Sequence, residues 1–213
     1  LNNPITVDIY SDTICPWCYI GYARFKEALK HFNDVNFEII WRPFQLNPNM
    51  PEEGINRDEY LNKKFGGKEQ ALRIYKNIED EGKLANIHFQ FKKIKITPNS
   101  FLSHKLLAFA FNKQLQNEVL ETIFFHYFIE GKNIGNLETL IEIAKQTNLY
   151  EEGIKKYLLS EKDNENLLNE AKQASDIGIS GVPCFIFNKE FVVNGAQPTE
   201  NFIKIINSLK INE

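Results

Sequence analysis

The alternation of apolar and polar residues in "PITVDIY" (4–10) predicts a β-strand. After "SDTI", Pro16 stands at a first helical position, and Trp17, Tyr19, Ile20, Ala23, Phe25, Ala28 and Leu29 recur at helical spacing up to His31. "NFEIIWRPF" (36–44) is a second β-rich run, so the chain opens with a β-α-β unit, which implies parallel strands and a right-handed connection. The pattern then becomes helical. Residues 57–85 are charged with helical period, "LANIHFQF" reads as a short extended stretch, and "TPNSFLSHKLLAFAFNK" opens a helix behind a cap-like Asn99 or Ser100. "EVLETIFFHYFIEG", "NLETLIEIAKQTNL", "YEEGIKKYLLS" and "ENLLNEAKQASDIGI" continue it. The β signal returns in "GVPCFIFN" and "KEFVVNG", joined through a short "NKE" hairpin, and "TENFIKIINSLK" closes the chain as an amphipathic helix. The expected class is α/β, a small sheet split by an all-helical insertion. Residues 1–45 and 165–213 form one discontinuous domain, and 46–164 form the insertion.

Composition narrows the function classes. The 213 residues are 43% apolar, enough for a well-filled core without staples. A net charge of -3 with both signs spread along the chain gives no electrostatic reason to expect nucleic acid or an anionic membrane as partner. The densest basic run, "FKKIKI" (91–96), reads as a solvated face or edge strand. No apolar run reaches the ~18 residues of a membrane span. Only "LNN" precedes the first strand, and three cysteines are too few for a disulfide-stapled secreted domain, so the expected compartment is the cytoplasm. A signal removed before residue 1 would leave the same chain. Oligomeric state is not readable.

Two of the three cysteines sit three positions apart in "SDTICPWCYIG" (11–21). One helical turn brings such a pair close enough for a short-loop disulfide, and the unpaired N–H groups and dipole of a helix start favour a thiolate there. Cys15, at the helix mouth, suits a nucleophile. Cys18, one turn in, suits a resolving thiol that clears a mixed disulfide. Pro16 removes an N–H that would be unpaired anyway, and Trp17 offers a flat apolar rim for docking. Asp12 acts in either direction: its charge would raise the Cys15 pKa, whereas capping the helix would not. A zinc site would need Cys184 and one of His31, His88, His104 or His126 as further ligands, and no second paired motif exists, so no metal is expected. Two inert core cysteines are the third reading of the pair.

"GISGVPCFIF" (177–187 with its preceding isoleucine) places Pro183 at a strand start, where it cannot donate to the ladder and is a candidate for a cis peptide. A cis Val182–Pro183 bond beside the dithiol would leave the Val182 backbone free to pair with an extended substrate. Taken with "RPFQLNPNMPEEG", "EYLNKKFG", "TPNSFLSHKL", "FIEGKNIGN" and "GISGVPCFIFNKEFVVNGAQPTENF", the dithiol segment resembles the DsbA-like thioredoxin-fold oxidoreductases, specifically their FrnE-type subgroup. The resemblance spans nearly the whole chain. It implies a thioredoxin fold interrupted by a helical insertion, Cys15 as nucleophile, Cys18 as resolving residue and Pro183 as cis-proline. It also puts "GAQP" (195–198), with Gln197, in a loop near the active site. Cys184 departs from the bulky apolar residue expected after the cis-proline; it is either a second resolving thiol, since its backbone must lie near the dithiol, or, as strand alternation and the apolar "CFIF" run favour, a buried, inert core thiol.

Three weaker candidates each carry a plainer alternative. His104 faces the dithiol from the insertion or is a buried, hydrogen-bonded histidine. Arg42 holds a substrate anion or forms an ion pair. "FFHYF" (124–128) floors a substrate groove or fills the insertion core. The expected function is thiol–disulfide exchange on a protein or small-molecule thiol or disulfide, with no cofactor required and glutathione as a possible redox partner. The direction of electron flow stays open. The rivals are a glutathione-dependent isomerase or kappa-class transferase, in which serine usually replaces Cys15, and a peptide-binding chaperone.

Overall fold

A computed structural model of the chain describes residues 4–150 and 152–211. The expected opening is present as β1 (Ile5–Ser11), α1 (Pro16–Leu29) and β2 (Phe37–Pro43), with β1 and β2 parallel in register from Ile5 opposite Phe37 to Ser11 opposite Pro43. The closing part is α8 (Asn164–Asp176), β5 (Cys184–Phe187), β6 (Phe191–Asn194) and α9 (Thr199–Ile211). β5 pairs antiparallel with β1 and with β6, giving a four-stranded sheet in the order β2-β1-β5-β6. This is a thioredoxin fold. Asn188 (φ 48°) and Lys189 (φ 60°) supply the two left-handed positions of the tight turn between β5 and β6.

Strand alternation sorts the core. Ile5, Val7, Ile9, Phe185 and Phe187 are buried on the face that meets α1 and α9. There the Phe25 ring lies 5.4 Å from Phe185, 6.0 Å from Phe187 and 5.4 Å from Phe202 of α9. Tyr10, Cys184 and Ile186 occupy the opposite face with Ala174 of α8 and Ile179.

Between the two parts run β3 (Ile55–Asn56), α2 (Arg57–Phe65), α3 (Lys68–Leu84), β4 (Ile96–Thr97), α4 (Phe101–Phe111), α5 (Gln116–Phe125), α6 (Leu137–Gln146) and α7 (Ile154–Leu159). The charged helical stretch 57–85 is two helices, because Gly66 (φ 71°) and Gly67 (φ 138°) break it. "LANIHFQF" does not form the expected extended stretch. Left-handed Asn86 closes α3, the Ile87 N–H returns to the Gly82 carbonyl at 2.8 Å, and Ile87 and Phe89 are buried in the core. The β3–β4 pair is too short to leave a period in the sequence. α5 runs into a wider π-helical turn over His126–Glu130, ended by left-handed Gly131. Of the quoted segment 150–160, residue 151 lies outside the described residues, as do residues 1–3 and 212–213 of the outer domain.

The insertion is locked onto the sheet edge. Gln116 Oε1 accepts the backbone N–H of Trp41 at 3.1 Å, and Asn117 Oδ1 accepts the Trp41 indole N–H at 2.7 Å, so α5 satisfies an edge-strand donor of β2. Among the described residues no helix is long and apolar enough to cross a membrane.

Phe25 is fully buried against Phe185 and Phe187 of β5 and Phe202 of α9. Phe25→Ala is expected to lower unfolding free energy by about 3–5 kcal/mol in denaturant titration.

Candidate active site

The site begins where β1 ends. Cys15 is the N-cap of α1 with extended backbone (φ -92°, ψ 113°), its own N–H bonded to the Asp12 carbonyl at 3.0 Å, and Pro16 follows as the first helical residue. The Cys15 carbonyl accepts the N–H groups of Cys18 (3.0 Å) and Tyr19 (3.4 Å). The thiols therefore lie on the positive end of α1, the place where an anionic sulfur is favoured. Both cysteines are buried, Cys15 at 4% and Cys18 at 1% exposure, so the opening over Cys15 is narrower than its position at the helix mouth suggested. Burial pushes the Cys18 thiol well above its ordinary pKa, and the hydrogen bond and charge of Cys15 add to the effect. Cys15 instead points its Sγ at the Val182 carbonyl oxygen, 3.8 Å away.

That carbonyl belongs to a cis Val182–Pro183 peptide. Pro183 packs so closely on α1 that a Cβ at Gly21 would come within 2.9 Å of its ring and 3.3 Å of the Ala196 Cα. Only glycine allows this approach. Arg24, one turn further, donates to the Ala196 carbonyl at 2.8 Å and pairs with Glu81 of α3 at 2.5 Å. The 195–198 loop thus lies against α1 behind the proline. Gln197 spends its side chain within that region, donating to the Asn194 carbonyl (2.8 Å) and accepting from Asn201 (3.0 Å). Trp17 is half-buried. Among the described residues no group accepts the Val182 N–H, which leaves a backbone donor beside Cys15.

Asp12 is fully buried and braces the loop that carries the cysteines. Its carboxylate accepts the N–H groups of Ile14 (3.3 Å) and Leu46 (2.7 Å), tying the β1–α1 and β2–β3 connections together. It makes no side-chain cap on α1. His104 Nε2 lies 3.5 Å from Asp12 Oδ1 and 3.1 Å from the Phe44 carbonyl oxygen, so this ring is engaged inside the protein. Thr13 joins the same brace through a 2.7 Å contact to Ser103, which in turn donates to the Ser100 carbonyl.

A buried cluster of one cation and aromatic rings, unread in the sequence, lies in the insertion. Arg57 is 7% exposed, donates to Thr97 Oγ1 (3.1 Å) and Tyr75 Oη (2.5 Å), and lies over the rings of Tyr60 and Tyr75. Among the described residues no carboxylate pairs with it. Burial raises the Tyr75 hydroxyl pKa against the pull of Arg57, and the Cys15 charge is near enough to contribute. Tyr127 Oη is buried nearby without a hydrogen-bond partner. One sequence signal was available. Arg57 opens α2, the wrong end of a helix for a cation.

Other candidates lie elsewhere. Arg42 pairs with Asp8 (2.6 Å) and approaches Glu170 (3.9 Å). Phe124, Tyr127 and Phe128 are core, Phe124 stacking 4.8 Å from Tyr19, while Phe125 is 46% exposed. Among the described residues no three His, Cys, Asp or Glu side chains converge as a metal site. Cys184, fully buried on the sheet face opposite α1, has its thiol pushed up to about 11 by burial. Thiol counting on the Cys15–Cys18 disulfide form is therefore expected to find no fast-reacting group in the native protein and one after denaturation. Rapid native labelling of Cys184 would contradict its burial.

The comparisons bear on the family and the fold. The family profile of the DSBA-like thioredoxin domain matches residues 6–207. The Bacillus subtilis (strain 168) protein YwbO is 26% identical over 203 residues, covering 95% of this chain and 96% of its own. The crystal structure of a probable DsbA oxidoreductase from Streptomyces coelicolor superposes with a TM-score of 0.87 at 26% identity, over 96% of this chain and 89% of that one. The cytosolic disulfide reductase DsbM from Pseudomonas aeruginosa, solved with GSH, shares the fold with a TM-score of 0.68 at 16% identity, over 96% and 98% of the two chains. A helix-capping dithiol under a proline loop, on a sheet split by helices, is thus found in a chain that belongs to the DsbA-like thioredoxin family.

Proposed function

We propose that the protein is a thiol–disulfide oxidoreductase of the FrnE-type subgroup, working in the cytoplasm through Cys15 and Cys18. The observation that carries the reading is the contrast between the two sulfurs. Cys18 is sealed in and held protonated, while Cys15 caps the helix and faces the Val182 carbonyl. In the reducing direction the Cys15 thiolate attacks one sulfur of a substrate disulfide, the other sulfur leaves as thiolate, and a mixed disulfide forms at Cys15. Cys18 then attacks Cys15 Sγ, releasing the second substrate thiol and closing the Cys15–Cys18 disulfide. The oxidising direction is the reverse sequence. The half-buried Trp17 and the unengaged Val182 N–H support an extended thiol-containing segment as substrate, paired to the backbone beside the dithiol.

The test is turnover in insulin reduction or in refolding of a reduced protein. Cys15→Ser is expected to abolish it, and Cys18→Ala to accumulate a mixed disulfide at Cys15. Unchanged turnover in Cys15→Ser would sink the mechanism.

A second reading, glutathione as the redox partner, is favoured by Arg57. A buried guanidinium with no carboxylate partner among the described residues, hydrogen-bonded to Tyr75, suits a small anionic thiol. Calorimetry on Cys15→Ser/Cys18→Ser should then show micromolar glutathione binding that Arg57→Gln weakens about tenfold, an equilibrium change of about 1.4 kcal/mol. No binding to the double variant would remove glutathione from the account.

A further inference from the structure

Arg57 carries a charge that the dithiol chemistry does not use. Its side chain is buried, and the ion pairs that arginines make among the described residues belong to Arg24 and Arg42. Two of its five N–H donors are spent, on Thr97 Oγ1 at 3.1 Å and on Tyr75 Oη at 2.5 Å. The rings of Tyr60 and Tyr75, 5.6 and 4.9 Å away, attract the cation but bring no negative charge. A buried charge without a counter-ion is costly, and an anion arriving from outside would offset that cost.

A route for such an anion lies beside it. A groove of about 750 Å³, lined in part by Arg57, runs between α2, α3 and the 3₁₀ turn Phe91–Lys93. That volume falls within the ~300–1,000 Å³ of small-molecule sites. The segment after the turn is tied to α2 by the Arg57 N–H on the Lys95 carbonyl at 2.9 Å. Leu61, Ala71, Leu72, Phe91 and Ile94 form the apolar part of the lining, with Ala71 and Ile94 buried and Leu72 59% exposed. Lys68, Lys76, Lys92 and Lys95 also line it, against the carboxylates of Asp58 and Glu79. Lys76 is taken by Asp80, and Lys95 Nζ donates to the Lys92 carbonyl. Lys68 and Lys92 make no ion pair among the described residues. α3 begins at Lys68 with no side-chain cap on its first N–H groups, which adds to the positive character of this end.

The shape selects among occupants. Leu72 is the one large apolar side chain of the lining that stands exposed among the described residues, so the flat face of a second copy would meet Leu72 and little else. A narrow chain reaches the recessed residues. From Lys68 to Tyr75 α3 rises about 10 Å, roughly the length of a decanoate chain.

We propose that this groove binds a small carboxylate carrying an acyl chain. The carboxylate sits on Arg57, and the chain follows α3 past Tyr75 and Ala71 to Leu72. The groove contains neither Cys15 nor Cys18, so the inference does not rest on the oxidoreductase reading. It also goes beyond glutathione, which has no apolar body for this lining and would compete with an acyl carboxylate for Arg57.

Calorimetry on the whole protein, with decanoate as the probe, is expected to show saturable one-to-one binding. Decan-1-ol, with the same chain and no charge, should bind about tenfold more weakly, and Arg57→Gln should weaken decanoate by about the same factor. The Ala71, Leu72 and Ile94 methyl signals should move in NMR titration with decanoate. Arg57 also holds Thr97 and Tyr75, so a second variant removes the dependence on its folding. Leu72→Glu lies on the surface, should keep insulin turnover, and sets a carboxylate in the path of the chain. It is expected to weaken decanoate about tenfold. No saturation, decan-1-ol binding as tightly as decanoate, or undiminished binding in Leu72→Glu would overturn the site. So would a concentration-dependent dimer that Leu72→Glu dissolves, because a second copy would then be the occupant.

Discussion

The close approach of the Val182–Pro183 loop to the first turns of α1 is the constraint on which the site depends. It sets Cys15 Sγ 3.8 Å from the Val182 carbonyl, and it exists because Gly21 presents no side chain to the Pro183 ring. One turn further along the same face, the helix is held by Phe25 in the aromatic cluster with Phe185, Phe187 and Phe202. A helix so anchored keeps its dipole and its unpaired N–H groups aimed at the two sulfurs. The placement of Cys15 thus draws on packing more than one turn away.

The insertion supplies the rest of the environment. Tyr19 stacks on Phe124, the Tyr22 hydroxyl donates to Glu121 at 2.6 Å, and Arg24 pairs with Glu81, so α1 is met by two inserted helices, α5 and α3. From the other side, Asp12 joins the dithiol loop to Leu46 at the start of the insertion. A displacement of the inserted helices would be felt at the dithiol through each of these contacts. Arg57, Tyr60, Tyr75 and Tyr127 gather in the same inserted part of the chain.

The parts legible in the sequence were those with a local signature. The period-2 and period-3.6 runs gave the order of strands and helices, Pro16 and the spacing of Cys15 and Cys18 marked the helix start, and Pro183 before "CFIF" marked the loop that faces it. Alternation also assigned Cys184 to the far side of the sheet, where it lies with Ala174 and Ile179. What escaped was set by tertiary contact. Arg57 sits in a charged stretch that reads as surface, yet its guanidinium is covered by aromatic rings from α2 and α3. "LANIHFQF" alternates like a strand, but Phe89 packs onto Gly82 where no ladder partner is offered. His104 and Asp12 are 92 positions apart, and no spacing rule foretells that they meet.

The central claim is that one fold gives two neighbouring cysteines opposite roles, one kept protonated by burial and one presented at the helix end. Site-resolved alkylation of the fully reduced native protein, followed by mass spectrometry across pH 5 to 9 in roughly one-unit steps spanning the thiol range, measures this directly. The account predicts that Cys15 is modified first at every pH, with Cys18 and Cys184 protected until the protein unfolds. Modification of Cys18 at a rate comparable to Cys15 would contradict it.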